Sequence, residues 1–429
     1  MVTYRSPISP GLSWYEAVLD ERPAFPKLDG STSADVVIIG GGFTGLSAAC
    51  HLAEAGVDVI LIEAARFGDG ASGRNGGQLG TGQRSDPDEL EASYGFERAK
   101  ALFDLAEEGK RHLLAFADRH GIDMEYQPGQ LSVVHKKRYV DAYKAYAETM
   151  AERFGYPHVS FMDRDETAER LGSSRYHAGV RDTGTGHIQP MKLIVGLAKA
   201  AAEAGARLHE TTRAVSIKPV SGRIEVVTSS GTIIASQALI ACDAHIEGLE
   251  PQTAAHVMPI RSFMGATIPL DPASGVLPGG ESVDDSRFVV RYFRKSRDGR
   301  LIFGGREAYT ADNPKDISKH IRLQIEDIYP QLQGVEITHS WGGSVGITLP
   351  RLPFVREVMP GAISIGGFSG HGVMLANFCG RLYAETVLGD RSRLAQFEAL
   401  KVPAFPGGQG LRKPLLFLAL TWFALRDRL

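Results

Sequence analysis

The sequence predicts an α/β protein built from a Rossmann-type dinucleotide-binding domain and a second, mostly antiparallel β domain. The first observation is a β-branched run at 35–39 that enters the glycine-rich turn 40–45, then a helical stripe, then a second apolar run at 58–62. This order and length are those of a βαβ unit. The second observation is a middle region in which short apolar runs alternate with turn residues, and the third is an apolar run at 362–365 that enters another glycine-rich turn. The pattern therefore predicts a nucleotide-binding sheet whose pieces are interrupted by an antiparallel domain.

The composition is that of an ordinary globular protein. The 429 residues are 43% hydrophobic and 23% charged, and 47 basic against 50 acidic side chains give a net charge of −3. A chain of this balance is neither disordered nor fibrous, and it has no excess of positive charge for nucleic acid. Cys50, Cys242 and Cys379 are odd in number and widely spaced. We therefore expect no disulfide framework and no metal site, and a reducing, cytoplasmic setting.

The two ends of the chain are expected to lie outside the domains. Residues 1–29 form an irregular arm that contains prolines and lacks the apolar stretch of a signal peptide. Residues 406–429 are expected to form a C-terminal apolar helix, whose apolar segment 414–425 is too short to span a membrane. Two interpretations of this helix are open: it packs on the body or on a subunit partner, or it lies on a membrane surface. The sequence does not fix the oligomeric state.

Hydrophobic spacing places the remaining elements in order along the chain. It predicts a helix at 96–116, a strand at 129–134, a helix at 191–204, strands around Val215 and Val226, a strand at 238–242, a hairpin at 288–303 that turns at Asp298 and Gly299, a strand at 362–365 and a helix at 373–388.

The turn at 40–45 has the spacing of a dinucleotide-binding fingerprint. Gly40 allows the tight turn, Gly42 lets the backbone approach a pyrophosphate at the helix N-terminus, and Gly45 lets the helix pack closely on the strand. Glu63 follows Gly45 by 18 residues. A carboxylate there accepts hydrogen bonds from an adenosine ribose and repels a 2′-phosphate, which argues against NADP. The alternative is a glycine turn in an α/β unit that binds no nucleotide.

Two further loops favour FAD over NAD. Residues 70–78 are mostly small and include one arginine and one asparagine, and such a loop can wrap the pyrophosphate and pass beneath a flavin ring. Residues 366–372 form a glycine-rich turn before a helix, whose N–H groups would face the electron-rich edge of a reduced flavin. There is no second fingerprint and no redox cysteine pair. Electrons are therefore expected to pass to oxygen or to a protein or quinone acceptor.

Four motifs resemble those of the D-amino-acid oxidase and sarcosine oxidase superfamily of FAD enzymes: GGGFTGLSAA, ASGRNGGQ, GTGHIQP and GGFSGHG. The segments GASGRNGGQL, YGFERAKALF, YQPGQLSV, RYFR and the FPGG tail are more similar to the gamma-glutamylputrescine oxidase family. The resemblance runs from about Trp14 to the C-terminus. It implies a D-amino-acid oxidase/glutathione-reductase-like two-domain flavoprotein that oxidises an amine to an imine, with hydrolysis to aldehyde and ammonia and with hydrogen peroxide as by-product. The implied substrate is gamma-glutamylputrescine, in putrescine catabolism.

The pattern and the resemblance together suggest how the chain divides. We expect an FAD-binding domain from 30–124, 183–256 and 335–405, and a substrate domain from 125–182 and 257–334 whose antiparallel sheet covers the flavin ring. Two alternative functions stay open. The first is an oxidase or dehydrogenase of a small secondary amine or imino acid, of the sarcosine or pipecolate type. The second is an FAD-stabilised interaction protein without turnover.

The expected cofactor site gathers residues from all three loops. They are Gly40, Gly42, Phe43, Thr44, Gly45, Glu63, Ala64, Ser72, Arg74, Asn75, Gly76, Gly77, Gln78, Val215, Gly346, Gly370, His371, Gly372 and Val373.

Two departures from the wider superfamily affect the chemistry. Some relatives attach FAD through a cysteine before the last strand or through a histidine after the ribose-binding acid. Residues 341–353 contain no cysteine and residues 64–80 contain no histidine, so FAD is expected to be non-covalent. Some oxidase relatives carry a lysine two residues after the last glycine of GHG, which helps reduced flavin react with oxygen. This chain has Met374 at that position, which leaves the electron acceptor open.

The substrate site is less well defined by the sequence. His371 is a candidate catalytic base, although readout of the flavin by the backbone of its loop is the favoured interpretation. Tyr292 and Arg294 lie two apart in an expected strand and so share a face. They are either cavity residues that hold the substrate or solvated sheet residues, and Tyr292 is also a catalytic candidate. Arginine has the fork that binds a carboxylate, and Arg306 is the reserve candidate for that task.

Overall fold

The computed structural model describes residues 6–308 and 316–406, with the side chains of 306–308 outside that description. The expected C-terminal helix at 406–429 lies almost entirely beyond the described residues. No helix within the described ranges is long and apolar enough to cross a membrane.

The described residues form eleven α-helices. They are α1 (Trp14–Ala17), α2 (Phe43–Glu54), α3 (Pro87–Tyr94), α4 (Phe96–Arg119), α5 (Val140–Glu152), α6 (Arg164–Leu171), α7 (Pro190–Glu203), α8 (Pro251–His256), α9 (Ile317–Ile328), α10 (Gly372–Val387) and α11 (Leu394–Glu398).

Sixteen strands are described in the same ranges. They are β1 (Thr32–Ile39), β2 (Val59–Ile62), β3 (Gln127–Val133), β4 (Val159–Met162), β5 (Gly179–His187), β6 (Arg207–His209), β7 (Ala214–Val220), β8 (Arg223–Thr228), β9 (Gly231–Ile240), β10 (Met258–Pro269), β11 (Ser282–Asp285), β12 (Tyr292–Lys295), β13 (Arg300–Ala308), β14 (Ile337–Ile347), β15 (Phe354–Met359) and β16 (Ala362–Gly366).

The first sheet is the predicted dinucleotide-binding sheet. Its strands follow the order β15-β16-β9-β1-β2-β6, with β7 and β8 attached beside β9. β1 runs parallel to β2 and β9, so that Ile38 lies between Leu61 and Leu239. Strands covered on both faces are continuously apolar, and all four residues of β2 are buried. Helices α2 and α10 approach so closely that a side chain at Gly380 would overlap the backbone of α2.

The second sheet follows the order β14-β10-β13-β12-β11-β3-β5-β4 and is mostly antiparallel. Its own core contains Phe293, Phe303 and Tyr329. Two stretches that the sequence placed in the FAD-binding domain belong to this sheet. Residues 183–187 are the end of β5, which pairs with β3, and β14 pairs along its length with β10. The division expected at 183 and 335 therefore does not follow sheet membership, because pairing with strands distant in the chain determines the sheet to which a segment belongs.

Most single elements match the periodicity that predicted them. The helices expected at 96–116, 191–204 and 373–388 are observed as α4, α7 and α10 with ends shifted by up to three residues. The hairpin expected at 288–303 is shorter on its first side, because its first strand begins only at Tyr292.

Candidate active site

The glycine fingerprint adopts the geometry that its spacing predicts. Gly40 has a φ of +111°, a conformation that side chains disfavour, and a Cβ there would lie 2.6 Å from the Ala241 carbonyl oxygen. A Cβ at Gly45 would overlap the Gly40 carbonyl oxygen, so only glycine lets α2 pack this closely on β1. The turn therefore places the start of α2 at the carboxyl edge of the first sheet.

The N-terminus of α2 is left open to a ligand. Gly42 is its N-cap and provides no side-chain cap. The Phe43 N–H donates to the Ser72 hydroxyl at 3.0 Å, which ties the second loop to the helix. Free N–H groups and the helix dipole at such an end bind phosphate groups.

Glu63 shapes the same edge. Its carboxylate accepts hydrogen bonds from the backbone N–H groups of Gly41 and Ala65, each at 2.8 Å. Burial raises the pKa of Glu63, while these two N–H groups act in the opposite direction. The carboxylate keeps lone pairs for ribose hydroxyl groups.

The loop at 70–78 divides into residues that face the cofactor and residues that build the loop. Ser72 and Asn75 line the cavity, and the Asn75 amide also donates to the carbonyl oxygens of Ala71 and Ser72. Arg74 is buried and donates to the backbone oxygens of Gly342, Pro10 and Gly11. Its expected contact with the cofactor is therefore corrected to one of holding the loop against β14 and the N-terminal arm.

The rest of that loop is fixed to the second sheet. Gly77 has a φ of +80° and its carbonyl oxygen accepts from the Ile188 N–H at 2.8 Å. The Gln78 amide donates to the Val283 carbonyl oxygen at 2.9 Å. Gly76, Gly77 and Gln78 do not line the cavity. They hold the loop on the second sheet, a task that the small-residue pattern did not separate from cofactor contact.

A second helix N-terminus faces the same space. α10 begins at Gly372 without a side-chain cap, and Gly370, Gly372 and Val373 line the cavity. The His371 side chain turns away: its Nε2 lies 3.1 Å from the Gly82 carbonyl oxygen. Burial and the nearby Arg84 lower the pKa of His371 to about 4, so the imidazole is neutral at pH 7. These contacts make His371 a positioning residue for the loop at 80–82.

Asp243 was not found by sequence reasoning. It lies three residues after the end of β9, and its carboxylate accepts from the backbone N–H groups of Gly346 and Gly367 at 3.2 and 2.6 Å. This carboxylate therefore holds β14 against the third glycine loop. Its position after the carboxyl end of the parallel strand β9 could have identified it, because ligands of parallel sheets bind at that edge. Arg213 and His245 line the cavity as well and were also missed.

The three loops enclose one cavity of about 540 Å³. Its lining includes most of the predicted cofactor residues: Gly40, Gly42, Phe43, Thr44, Glu63, Ala64, Ser72, Asn75, Val215, Gly346, Gly370, Gly372 and Val373. A cavity with a helix N-terminus at each of two loops, a glycine cradle and a ribose-type carboxylate fits FAD.

The chain belongs to the DAO family of FAD dependent oxidoreductases, whose pattern matches residues 35–386. The fold, the site and the family together define an FAD-dependent oxidoreductase. The chain is 65% identical over 427 residues, 100% of both proteins, to a probable oxidoreductase OrdL of Rhizobium meliloti. It is 35% identical over 420 residues, 97% of this chain and 98% of the relative, to the gamma-glutamylputrescine oxidoreductase of Escherichia coli.

A solved structure shows the same fold. Glycine oxidase from Geobacillus kaustophilus superposes with a TM-score of 0.72 at 23% sequence identity, covering 86% of this chain and 99% of that one.

The structure gives Arg294 a task other than the expected one. Its side chain is only 3% exposed. The Nε donates to the Gly76 carbonyl oxygen at 2.7 Å, and Nη2 lies 3.2 Å from the Tyr15 hydroxyl. Its face is therefore turned into the protein, where the guanidinium supports the loop at 70–78, and the predicted clamp on a substrate carboxylate is not supported by these contacts.

Tyr292 and Arg306 complete the predicted substrate set. Tyr292 is half-buried, and its hydroxyl lies 3.1 Å from the Ser262 hydroxyl. Its ring packs on Gly76 and Gly304, where added Cβ atoms would overlap it. The Tyr292 side chain therefore packs between the loop at 70–78 and the neighbouring strand β13, and its role in catalysis stays a prediction. Arg306 pairs with Phe263 in the β10–β13 ladder, and its side chain lies outside the described residues.

Three potential metal ligands meet away from the cavity, which the sequence did not anticipate. Atoms of Cys50, Glu54 and His120 lie within 4.8 Å of one another. Glu54 is already paired with Arg119 at 3.2 Å, and burial raises the pKa of the Cys50 thiol to about 12. Both features favour a packed ion pair and a protonated thiol over a metal site.

Proposed function

We propose that this protein oxidises the primary amine of gamma-glutamylputrescine to an imine, which water then hydrolyses to the aldehyde and ammonia. The observation that supports it most is the 35% identity to the Escherichia coli gamma-glutamylputrescine oxidoreductase over nearly the whole of both chains. A cavity whose lining fits FAD, in a fold with a second and mostly antiparallel sheet, is compatible with such chemistry.

The chain's own residues contribute by binding and by exclusion of water. The N-terminus of α2 and Glu63 would hold the pyrophosphate and the ribose, and the N-terminus of α10 would face the flavin. FAD, when bound, supplies the acceptor for the hydride. Strands of the second sheet and the loop at 80–82 would keep the reacting carbon out of bulk water. A site of this kind favours the neutral amine, because desolvation disfavours the charged form.

Oxygen is the proposed electron acceptor, with hydrogen peroxide as product. Met374 is fully buried and provides no charge beside the α10 N-terminus. We therefore expect the step with oxygen to be slow relative to flavin reduction.

The second candidate is oxidation of a small amino or imino acid. It is favoured by the 26% identity to the glycine oxidase of Geobacillus kaustophilus, over 82% of this chain and 92% of that protein. The two candidates place a carboxylate differently: beside the reacting carbon in the small substrate, and far from it in gamma-glutamylputrescine.

A panel of amines tests the proposal. The holoenzyme is assayed with gamma-glutamylputrescine, putrescine, glycine, sarcosine and pipecolate. Formation of hydrogen peroxide and consumption of oxygen are recorded together. We expect kcat/KM for gamma-glutamylputrescine to exceed that for putrescine by at least about tenfold, or roughly 1.4 kcal/mol. Preference for pipecolate, sarcosine or glycine would favour the second candidate, and no turnover of any amine would contradict both.

A further inference from the structure

A second cavity, of about 480 Å³, lies beside the cofactor cavity and is lined by charged residues. Its arginines are Arg84, Arg287 and Arg351, and its acids are Asp86 and Glu89. All three arginines are half-buried, whereas both acids are exposed at the rim. No motif or comparison assigns a role to this space.

The second cavity adjoins the cofactor cavity along two segments. Gly346 lines the first cavity and Leu349 lines the second, three residues further on, so their Cα atoms are at most about 11 Å apart. On the other side, His371 of the third glycine loop contacts the Gly82 carbonyl oxygen, and Arg84 follows two residues later. Both segments therefore bring the linings of the two cavities close together.

The three arginines differ in how they are held. Arg287 forms an ion pair with Asp285, which balances its charge. Arg351 stacks over the Phe288 ring at 5.0 Å, and its backbone φ is +58°, an uncommon conformation that tends to mark functional sites. For Arg84, no hydrogen bond or ion pair is seen with any residue in the described parts of the chain. Its fork of donors is therefore available to a bound carboxylate.

The acids complete a pattern of both signs. Asp86 lies two residues after Arg84 and lines the same cavity as Arg84 and Arg351. Glu89 accepts a hydrogen bond from the Ser85 hydroxyl at 2.8 Å. The cavity therefore offers the guanidinium of Arg84 beside the carboxylate of Asp86. These two charges complement a group that carries a carboxylate and an ammonium on the same carbon.

We propose that this second cavity binds the zwitterionic α-amino acid head of an elongated amine substrate, with the carboxylate on Arg84 and the α-ammonium at Asp86. The inference rests on the proposed function and names the part of the site that selects the glutamylated amine. In gamma-glutamylputrescine, about nine bonds separate the reacting carbon from the α-carboxylate carbon, roughly 11 Å when extended. That length equals the upper limit of about 11 Å between the Cα atoms of Gly346 and Leu349, which line the first and second cavity. A small imino acid is too short to span that distance.

The test uses the holoenzyme with three variants. Arg84→Met removes the carboxylate partner and Asp86→Asn removes the ammonium partner. Arg322→Met is the matched control, because Arg322 lies on the surface of α9, 3.9 Å from Glu326. Each variant is first checked for FAD content and melting temperature. Two quantities are then measured: the ratio of kcat/KM for gamma-glutamylputrescine to that for putrescine, and the Kd of gamma-glutamyl-n-butylamide from the change in flavin absorbance.

The butylamide carries the same head but no oxidisable amine, so its binding is independent of turnover. We expect Arg84→Met to lower the kcat/KM ratio and to raise the Kd at least about tenfold, with Arg322→Met matching the wild type. The Kd of glutaryl-n-butylamide, which lacks the α-ammonium, is measured in the same way. The wild type should bind gamma-glutamyl-n-butylamide more tightly than glutaryl-n-butylamide, and Asp86→Asn should abolish this difference in Kd.

The outcomes separate the two proposals. An unchanged ratio and an unchanged Kd in Arg84→Met, with gamma-glutamylputrescine still oxidised, would overturn the head-group site and leave the proposed function standing. Binding of the butylamide that depends on Arg84, in a protein whose flavin no amine reduces, would support the head-group site and overturn the proposed function. A wild-type protein that does not bind the butylamide would also overturn the head-group site.

Discussion

Replacing Arg294 by methionine should lower the free energy of unfolding and leave the preference for gamma-glutamylputrescine over putrescine unchanged. The guanidinium donates to the Gly76 carbonyl oxygen at 2.7 Å and reaches the Tyr15 hydroxyl at 3.2 Å. Each hydrogen bond to a charged group contributes about 1.5–3 kcal/mol. Methionine fills part of the volume and removes the cost of burying a cation, so we expect a net loss of about 2–4 kcal/mol from the free energy of unfolding. That is a large fraction of the ~5–15 kcal/mol typical of domains.

Urea unfolding of the apoprotein measures this loss directly. A parallel titration with FAD should show weaker binding, because the loop at 70–78 loses its support from the second sheet. Arg294→Lys, which keeps the charge but not the fork, should lose less stability than methionine. The preference for gamma-glutamylputrescine over putrescine should persist in both variants. If stability is unchanged while the preference disappears, Arg294 binds the substrate carboxylate and the reasoning from its contacts is wrong.

The other predictions concern the cofactor and pH. Acid precipitation should release all FAD into the supernatant, and flavin in the pellet would reveal a covalent link. Glu63→Lys should purify without FAD, because it sets a cation against the Gly41 and Ala65 N–H groups, whereas Glu63→Gln should retain FAD more weakly. The FAD content per chain measures both effects, and a Glu63→Lys protein with a full complement of FAD would refute the role of Glu63. Flavin reduction should accelerate from pH 7 to pH 9, because neutralising an alkylamine with a pKa near 10.4 costs about 4.6 kcal/mol at pH 7; a flat profile with reduction rate-limiting would refute this. Burial lowers the pKa of His187 to about 3, so the unfolded chain binds a proton at this site as pH falls below 6.5 and the folded chain does not. Urea unfolding should therefore show the wild type losing about 2 kcal/mol more than His187→Gln between pH 7 and pH 5, and equal losses would contradict the buried neutral histidine.

Local sequence signals predicted the cofactor half of the site well. The spacing of Gly40, Gly42 and Gly45 constrains a turn, a helix start and a packing contact within a few residues, and Glu63 lies one strand further on. Each of these depends on neighbours in the chain or on a single βαβ unit. The fold class and FAD therefore followed from the sequence and the resemblance, and the family match confirms both.

The roles of individual charged residues depended on contacts between distant parts of the chain. Arg74 and Arg294 each donate to backbone oxygens brought from far along the sequence, and no periodicity shows where a long side chain points. The pairing of β14 with β10 could not be predicted from the sequence, because the two strands lie about 80 residues apart in the chain. The second cavity is likewise lined by four separate segments, which only the fold brings together.

Anaerobic mixing of the holoenzyme with gamma-glutamylputrescine tests the central claim most directly. One equivalent of the amine should bleach the flavin absorbance in a single turnover, with one equivalent of aldehyde and one of ammonia released after hydrolysis, and admission of air should restore the oxidised spectrum. A flavin that stays oxidised with gamma-glutamylputrescine, yet is reduced by dithionite, would show a competent cofactor without the proposed chemistry and would contradict the account.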